Sequence, residues 1–341
     1  MTRLLDIEDL NIDIAIDHAL LQPVLGIDLT VDRGQALAIV GESGSGKSLT
    51  AMSILGLLPR RASLRAKRIE FAGRSLQGLS SRDWQAIRGD RISMIFQDPM
   101  TALDPCYTVG AQMMEVLLQH RRMTAHAARA RVLELLDTAR VPSPAERFEQ
   151  YPHELSGGLR QRVMIAMSLL CEPDLLIADE PTTALDVTIQ ARILKLLDDI
   201  RRASGVGLIL ITHDIGVVAC VADAIAVMYR GQIVEYGPAQ QILANPLHPY
   251  TEGLLRSIPV PGRVARGAPL GFIPGIVPPP VGVPDACAFA PRCPYAMDAC
   301  RAAPVPLRQA DDTRRVRCVL PADGTGRDPD VWNRLQPAEA S

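Results

Sequence analysis

Lysine is nearly missing from this sequence, its net charge is close to zero, and no apolar run is long. Each shortage excludes something. A formal net charge of −2 over 341 residues gives no argument from composition for a nucleic-acid or membrane-surface partner. No segment approaches the ~18 uninterrupted apolar residues that a spanning helix requires, so nothing is expected to cross a bilayer by itself. The opening stretch MTRLLDIEDLNID is acidic early and has no apolar core, so no secretory signal is expected and the chain is read as cytosolic. In that compartment the seven cysteines are expected as thiols or metal ligands rather than as a disulfide framework. Only Lys47, Lys67 and Lys195 are lysines, and arginine makes up the rest of the 36 basic residues. That bias singles out Lys47, which sits in a glycine-rich turn.

What is present suits a soluble chain with a large core: 48% hydrophobic and 22% charged residues. The length calls for about two folding units. Residues 3–41 hold the alternating, Val- and Ile-rich segments LLDIEDLNIDIAI, GIDLTV and QALAIVG, which read as strands. AKRIEFAGRSL (66–76) and DRISMIFQD (90–98) read as further strands. From 99 to 170 the texture turns helical, as in VGAQMMEVLLQH and AHAARARVLELLDTAR. Strands return in DLLIADE and VGLILITHD, each followed by a helical pattern, TIQARILKLLDDIRRA and IGVVACVADAIAVM. Buried parallel strands alternating with helices predict an α/β core, with the helical stretch as an inserted subdomain. Between Pro259 and Pro284 stand eight prolines and five glycines, which predicts an extended connection. A cysteine-bearing segment (287–318) follows, and the last twenty or so residues read as a mobile tail.

GESGSGKS, Gly41–Ser48, fits G-x-x-x-x-G-K-[ST] at every fixed position. It follows the apolar ALAIV and precedes the helical SLTAMSILGLL, the strand–loop–helix setting of a phosphate-binding loop. Glycines let successive backbone N–H groups converge on an anion, and the helix start adds partial positive charge. The candidate phosphate contacts are Gly41, Ser43, Gly44, Gly46, Lys47, Ser48 and Leu49. Lys47 is expected on the β- and γ-phosphates and Ser48 on Mg²⁺. A compact ammonium, in a chain that otherwise uses arginine, points to a point charge rather than a planar fork. DLLIADE supplies the second half: Asp179, at a buried strand end, is expected to hold Mg²⁺, and Glu180 to polarise the attacking water.

Together these residues resemble the ATP-binding-cassette ATPases over residues 3–255. LSGGLRQR resembles that family's signature, IFQDP its glutamine loop, ALDV its D-loop and ITHD its switch histidine. The resemblance implies a P-loop NTPase core with an inserted α-helical subdomain, an antiparallel β-subdomain and a small C-terminal Cys-rich extension. It also implies two subunits facing head to tail, each ATP lying between one subunit's phosphate loop and the other's signature. Ser156, Gly157 and Gly158 open the signature helix, and glycines there permit close approach to a γ-phosphate. By the same resemblance Gln97 senses Mg²⁺ and the γ-phosphate, His213 contacts the γ-phosphate and the water, and Asp186 lies at the dimer interface. The sequence departs from the family in two places. No aromatic residue precedes Lys47 to stack on adenine, and Ile14, with His18 nearby, occupies the approximate place. Leu159 stands where glutamine is common.

MIFQDPMTALDP, ILANPLHPYTEGLL and CAFAPRCPYAMDAC are similar to the importer branch that takes up oligopeptides, dipeptides and nickel, over about residues 3–320. That similarity implies one of two distinct ATPase subunits, peripheral on the cytoplasmic face of the membrane, acting on two permeases fed by a binding protein. It implies a nucleotide-binding domain at 1–255, an extension at 256–320 and a flexible tail at 321–341. Cys287, Cys293, Cys300 and Cys318 are spaced C-x5-C-x6-C-x17-C, which matches neither zinc-ribbon nor common ferredoxin spacing. In this branch such a quartet resembles one that holds a [4Fe–4S] cluster; zinc and metal-free cysteines are the alternatives. Cys106, Cys171 and Cys220 are expected as packing residues. Three other functions fit less well: a soluble cassette ATPase of repair or translation, the same machinery carrying nickel, opines, glycosides or antimicrobial peptides, and a redox-sensing ATPase.

Overall fold

A computed structural model describes residues 2–16, 19–98, 102–183, 186–258, 271–321, 324–325, 327–328 and 331–332. Its strands, in chain order, are β1 (Arg3–Ile16), β2 (Ala19–Asp32), β3 (Ala36–Val40), β4 (Ala62–Arg65), β5 (Arg68–Phe71) and β6 (Arg74–Ser75). They continue as β7 (Ile92–Ile95), β8 (Leu175–Asp179), β9 (Gly207–Thr212), β10 (Ala224–Tyr229), β11 (Gln232–Pro238), β12 (Arg308–Gln309) and β13 (Arg315–Val316).

Two sheets result. One is antiparallel, ordered β2-β1-β5-β6 with β4 also paired to β1. The other runs β12-β13-β11-β10-β3-β9-β8-β7, and its β10, β3, β9, β8 and β7 are mutually parallel. Strands β3, β8, β9 and β10 are buried at every position, because a parallel sheet is covered on both faces and its strands become continuous apolar runs. One face packs on the antiparallel sheet, where Leu5, Ile7, Ile27 and Leu29 meet Ile39, Ile177 and Ile209. The other carries the helices Val109–His120, Ala125–Thr138, Gly157–Ser168 and Val187–Ser204, joined through Met113, Val132, Val163, Leu197 and Leu208. Thr108 and Thr124 cap the first two of these helices, accepting from Ala111 N–H and Ala127 N–H at 3.2 Å each. A third core, of Val227, Tyr229, Ile242, Tyr250 and Phe289, binds the C-terminal residues to β10.

Burial of each Leu or Ile stabilises the fold by ~1.5–3 kcal/mol, so the middles of these strands are kept apolar. Polar chemistry is thereby confined to the strands' carboxyl ends, where open α/β sheets bind ligands.

Three expectations need correction. IGVVACVADAIAVM is helical only at Ile215–Val218, and its second half is β10. A short, wholly apolar run gives no periodicity by which strand and helix differ. The strand read in GIDLTV begins earlier, at Ala19. The expected loose tail is pinned at Trp332, which is 5% exposed in the third core. Of the proline-rich connection, 271–284 has no helix or named strand, although Val281 bridges Leu21. Residues 259–270 and 333–341 lie outside the described residues.

Candidate nucleotide-binding site

The phosphate loop leaves β3 at Gly41 and enters the helix Lys47–Ile54 through Gly46. Two of its glycines are fixed by space. A Cβ on Gly41 would stand 2.2 Å from Met228 O, and one on Gly46, whose φ is 100°, would stand 2.2 Å from Pro23 O. Lys47 is 5% exposed, and its Nζ donates to Gly41 O at 2.8 Å and Glu42 O at 2.9 Å. Burial lowers its pKa, against the opposing charges of Glu180, Asp179 and Glu42. Ser43 and Gly44 are exposed at the loop's rim, while Leu49 packs half-buried between the sheets.

Asp179 ends β8 at 4% exposure and accepts from Ser48 Oγ at 3.1 Å. Burial raises its pKa, and the Ser48 hydrogen bond opposes that. Glu180 follows with φ 46°, a left-handed conformation that costs a non-glycine residue on the order of 1–3 kcal/mol. The neighbouring strand holds it, since Glu180 N–H donates to Ile211 O at 2.9 Å. Its carboxylate accepts from Thr183 Oγ1 at 2.8 Å and Gln97 Nε2 at 3.1 Å, and lies 3.3 Å from His213 Nδ1. Burial pushes the Glu180 pKa up, but the hydrogen bonds from Thr183 and His213, with the charge of Lys47, bring it below the ordinary value. Lys47, Ser48, Gln97, Asp179, Glu180 and His213, spread over 167 positions of sequence, thus meet at the carboxyl ends of β3, β7, β8 and β9.

The signature residues are held elsewhere. Ser156 is the N-cap of Gly157–Ser168, yet its side chain makes no capping bond. Ser156 and Gly157 are exposed, and Gly158 is half-buried beside Ile189. Leu159 packs against the helical core. Asp186, also exposed, caps Val187–Ser204 by accepting from Ile189 N–H at 2.9 Å. Among the described residues, no hydrogen bond or ion pair joins Ser156, Gly157, Gly158 or Asp186 to the phosphate loop. Ala184 and Leu185 of the expected D-loop lie outside the described residues.

Ile14 is half-buried, while Ile16 and Leu20 beside it on the β1–β2 hairpin are exposed; His18 lies outside the described residues. Cys287, Cys293, Cys300 and Cys318 are free thiols that line one small cavity with His248, Phe289 and Tyr295. Burial raises the pKa of Cys287 and Cys318 and pushes Cys293 to about 12. Among the described residues, however, no three His, Cys, Asp or Glu side chains converge as a metal-holding group. Of the cysteines expected in packing, Cys171 is buried but Cys106 and Cys220 are exposed, because each falls in a turn rather than on an inward helix face.

Two participants escape a reading of the sequence. Thr183 lies three residues after Glu180 and bonds its carboxylate, but threonine there carries no pattern of its own. Glu42, a variable position of the loop motif, is bound by Arg292 and Tyr250, contacts that only the tertiary fold creates.

Among the described residues no helix is long and apolar enough to cross a membrane. The family described as ABC transporter matches residues 24–183, and the one described as Oligopeptide/dipeptide transporter, C-terminal region, matches residues 234–300. The dipeptide transport ATP-binding protein DppD of Bacillus subtilis is 49% identical over 321 residues, covering 94% of this chain and 95% of that protein. DppD of Escherichia coli is 45% identical over 324 residues, covering 95% and 98%. A solved dimeric ATP-binding cassette in a post-hydrolysis state with ADP and Pi aligns with a TM-score of 0.62 at 25% identity, covering 69% of this chain and 99% of that one. Since identity of this degree runs through both the gathered phosphate site and the C-terminal region, the chain belongs to the ATP-binding-cassette (ABC) transporter ATPases.

Proposed function

We propose that this ABC ATPase drives peptide import, as one of two non-identical ATPase subunits on the cytoplasmic face of a membrane, beneath two permeases fed by a substrate-binding protein. The observation that carries this reading is the 49% identity, over 94% of the chain, to a dipeptide transport ATP-binding protein. We read residues 1–255 as the nucleotide-binding domain, 256–320 as the importer-specific extension and 321–341 as a tail.

The backbone N–H groups from Gly41 to Leu49 and the Lys47 ammonium bind the phosphates of ATP. Mg²⁺, when bound, neutralises charge that develops on those phosphates; Ser48 and Asp179, already hydrogen-bonded, would hold it together with Gln97. Glu180, kept ionised, accepts a proton from the attacking water, and His213 beside it orients that water and the γ-phosphate. Ser156, Gly157 and Gly158 complete the ATP site of the opposing subunit, with Asp186 at the shared interface. The aliphatic end of the β1–β2 hairpin, Ile14 with Ile16 and Leu20, takes the place of an aromatic platform for adenine.

We assign the four C-terminal cysteines to a [4Fe–4S] cluster. Four thiols line one cavity, the kind and number of ligands such a group takes, although among the described residues no three of them converge as a metal-holding group in this structure; as thiolates they would be held by the bound cation. Anaerobically purified protein is expected to be brown, with about four irons per chain; a colourless protein with one zinc overturns this assignment.

Transport is tested in vesicles that carry the complete importer. ATP-dependent uptake of a dipeptide is expected, and is lost with Glu180→Gln in this subunit. Uptake of Ni²⁺ in place of peptide would overturn the cargo while leaving the ATPase reading intact.

A further inference from the structure

The phosphate loop is held by residues far away in the chain. Glu42, its second residue, receives a two-pronged ion pair: Arg292 Nη1 lies 2.7 Å from Oε2, and Arg292 Nη2 donates to Oε1 at 3.0 Å. The backbone of Glu42 is held too, since its N–H donates to Tyr250 Oη at 2.8 Å. Its carbonyl in turn accepts from Lys47 Nζ at 2.9 Å. One loop residue therefore joins the C-terminal side chains to the lysine that faces the phosphates.

Neither clamp is a loose surface contact. The Arg292 side chain is 4% exposed, and its remaining donors go to Pro274 O at 2.8 Å and to Ile273 O and Gly275 O at 3.2 Å. Tyr250 is fully buried and packs on Tyr229 and Phe289, with ring centroids 4.7 and 5.3 Å away. In a chain with 4% aromatic residues, this cluster places rigid rings directly behind the phosphate loop. Arg292 ends a short 3₁₀ turn, Ala290–Arg292, and that turn is bounded by Cys287 and Cys293, two of the four thiols around the cavity. Cys287 N–H donates to Cys300 O at 2.9 Å, so the turn is tied to the rest of the cysteine segment.

We propose that the cysteine-bearing segment sets the shape of the phosphate loop, and that Arg292 and Tyr250 are positioning residues for ATP binding, acting through Glu42. A bidentate guanidinium–carboxylate pair fixes orientation as well as distance, and a buried hydroxyl fixes the neighbouring N–H. The loop is thus presented to phosphate already ordered, so binding does not have to order it. The inference rests on the reading of Gly41–Ser48 as the phosphate-binding loop.

The test uses the full chain, a fluorescent ATP analogue with Mg²⁺, and thermal unfolding of the same samples. Wild-type protein that fails to bind the analogue refutes the phosphate-loop reading itself, a result separate from those that follow. Arg292→Gln and Glu42→Gln are each expected to weaken binding about tenfold, the scale of one charged hydrogen bond. The double variant is expected to be no weaker than either single one, because both changes break the same link. A purely structural ion pair would lower the melting temperature of these variants and leave the affinity of the folded protein unchanged; that result overturns the proposal. Fully additive losses of affinity overturn it as well. If Arg292→Gln does not fold, Tyr250→Phe removes only the hydroxyl that accepts from Glu42. It is expected to weaken binding by about threefold, and unchanged affinity in that variant also overturns the proposal.

Discussion

The phosphate-loop side of this molecule is closed on itself, and the signature side is open. On the first side, Lys47 bonds to the loop's own carbonyls, Ser48 to Asp179, and Glu180 to Gln97 and Thr183. On the second, Ser156 is a capping residue that does not cap, exposed at the start of a helix with its neighbour Gly157. A helix start presents N–H groups with no acceptor inside the helix, and the dipole makes that end a place for negative charge. Preorganisation lies on one side and free hydrogen-bonding capacity on the other. On the proposed reading neither side is a whole ATP site, and each supplies what the other lacks in a head-to-tail pair of subunits.

The sharpest way to break this comparison is to disable one side alone. Glu180→Gln keeps the size of the side chain and removes the base. Hydrolysis at the site built on this loop is expected to fall about 10²- to 10⁴-fold, while ATP binding persists and the closed pair accumulates. Single-turnover hydrolysis and gel filtration with ATP check both halves; hydrolysis at the wild-type rate would refute the role of Glu180. Ser156→Ala acts on the other side. It is expected to leave ATP affinity of the isolated chain unchanged and to slow hydrolysis by the assembled pair about tenfold, the worth of one hydrogen bond to a charged group. A loss of affinity in the isolated chain would mean that Ser156 serves its own loop.

A smaller effect concerns protons. Hydrogen bonds from Thr183 and His213 hold the Glu180 pKa below its ordinary value despite burial. A carboxylate with a depressed pKa adds stability that is present above its unfolded pKa and is lost as pH falls through the folded one. Hydrolysis that needs the ionised base should therefore persist to a pH below the ordinary glutamate value. Thr183→Val removes one of these bonds, and the acid limb of the hydrolysis profile is expected to move to higher pH. A profile that does not move would show that Thr183 holds Glu180 in place without tuning it.

Much of the closed side was legible in the sequence, because its parts are local. GESGSGKS and DLLIADE are strand-end patterns whose chemistry follows from a few adjacent residues. The place of β10 was not legible, since AIAVMY is apolar at every position and has no period to read. The clamp on Glu42 was not legible either, for it joins positions 250 residues apart through a buried aromatic cluster that no motif describes. The left-handed backbone of Glu180 likewise has no sequence signal, because glutamate does not favour it. On the open side, the residues were legible, and so was the reading that Leu159 need not be polar when the backbone N–H groups and Ser156 carry the phosphate contact; the reason it packs inward was not.

That reason is geometric, and it yields the smallest expected effect. Leu159 is half-buried and packs into the helical core, and its N–H is already bonded to Ser156 O at 3.0 Å. The atoms left facing outward at the helix start are the Ser156 hydroxyl and the first N–H groups, and a side chain turned inward adds nothing to them. Leu159→Gln should therefore cost about 1 kcal/mol of stability from lost apolar burial and leave hydrolysis by the assembled pair within about twofold of wild type. A gain of several-fold in hydrolysis, with ATP affinity of the isolated chain unchanged, would place the side chain of residue 159 at the opposing nucleotide. The open side would then extend one helical position further than its backbone alone requires.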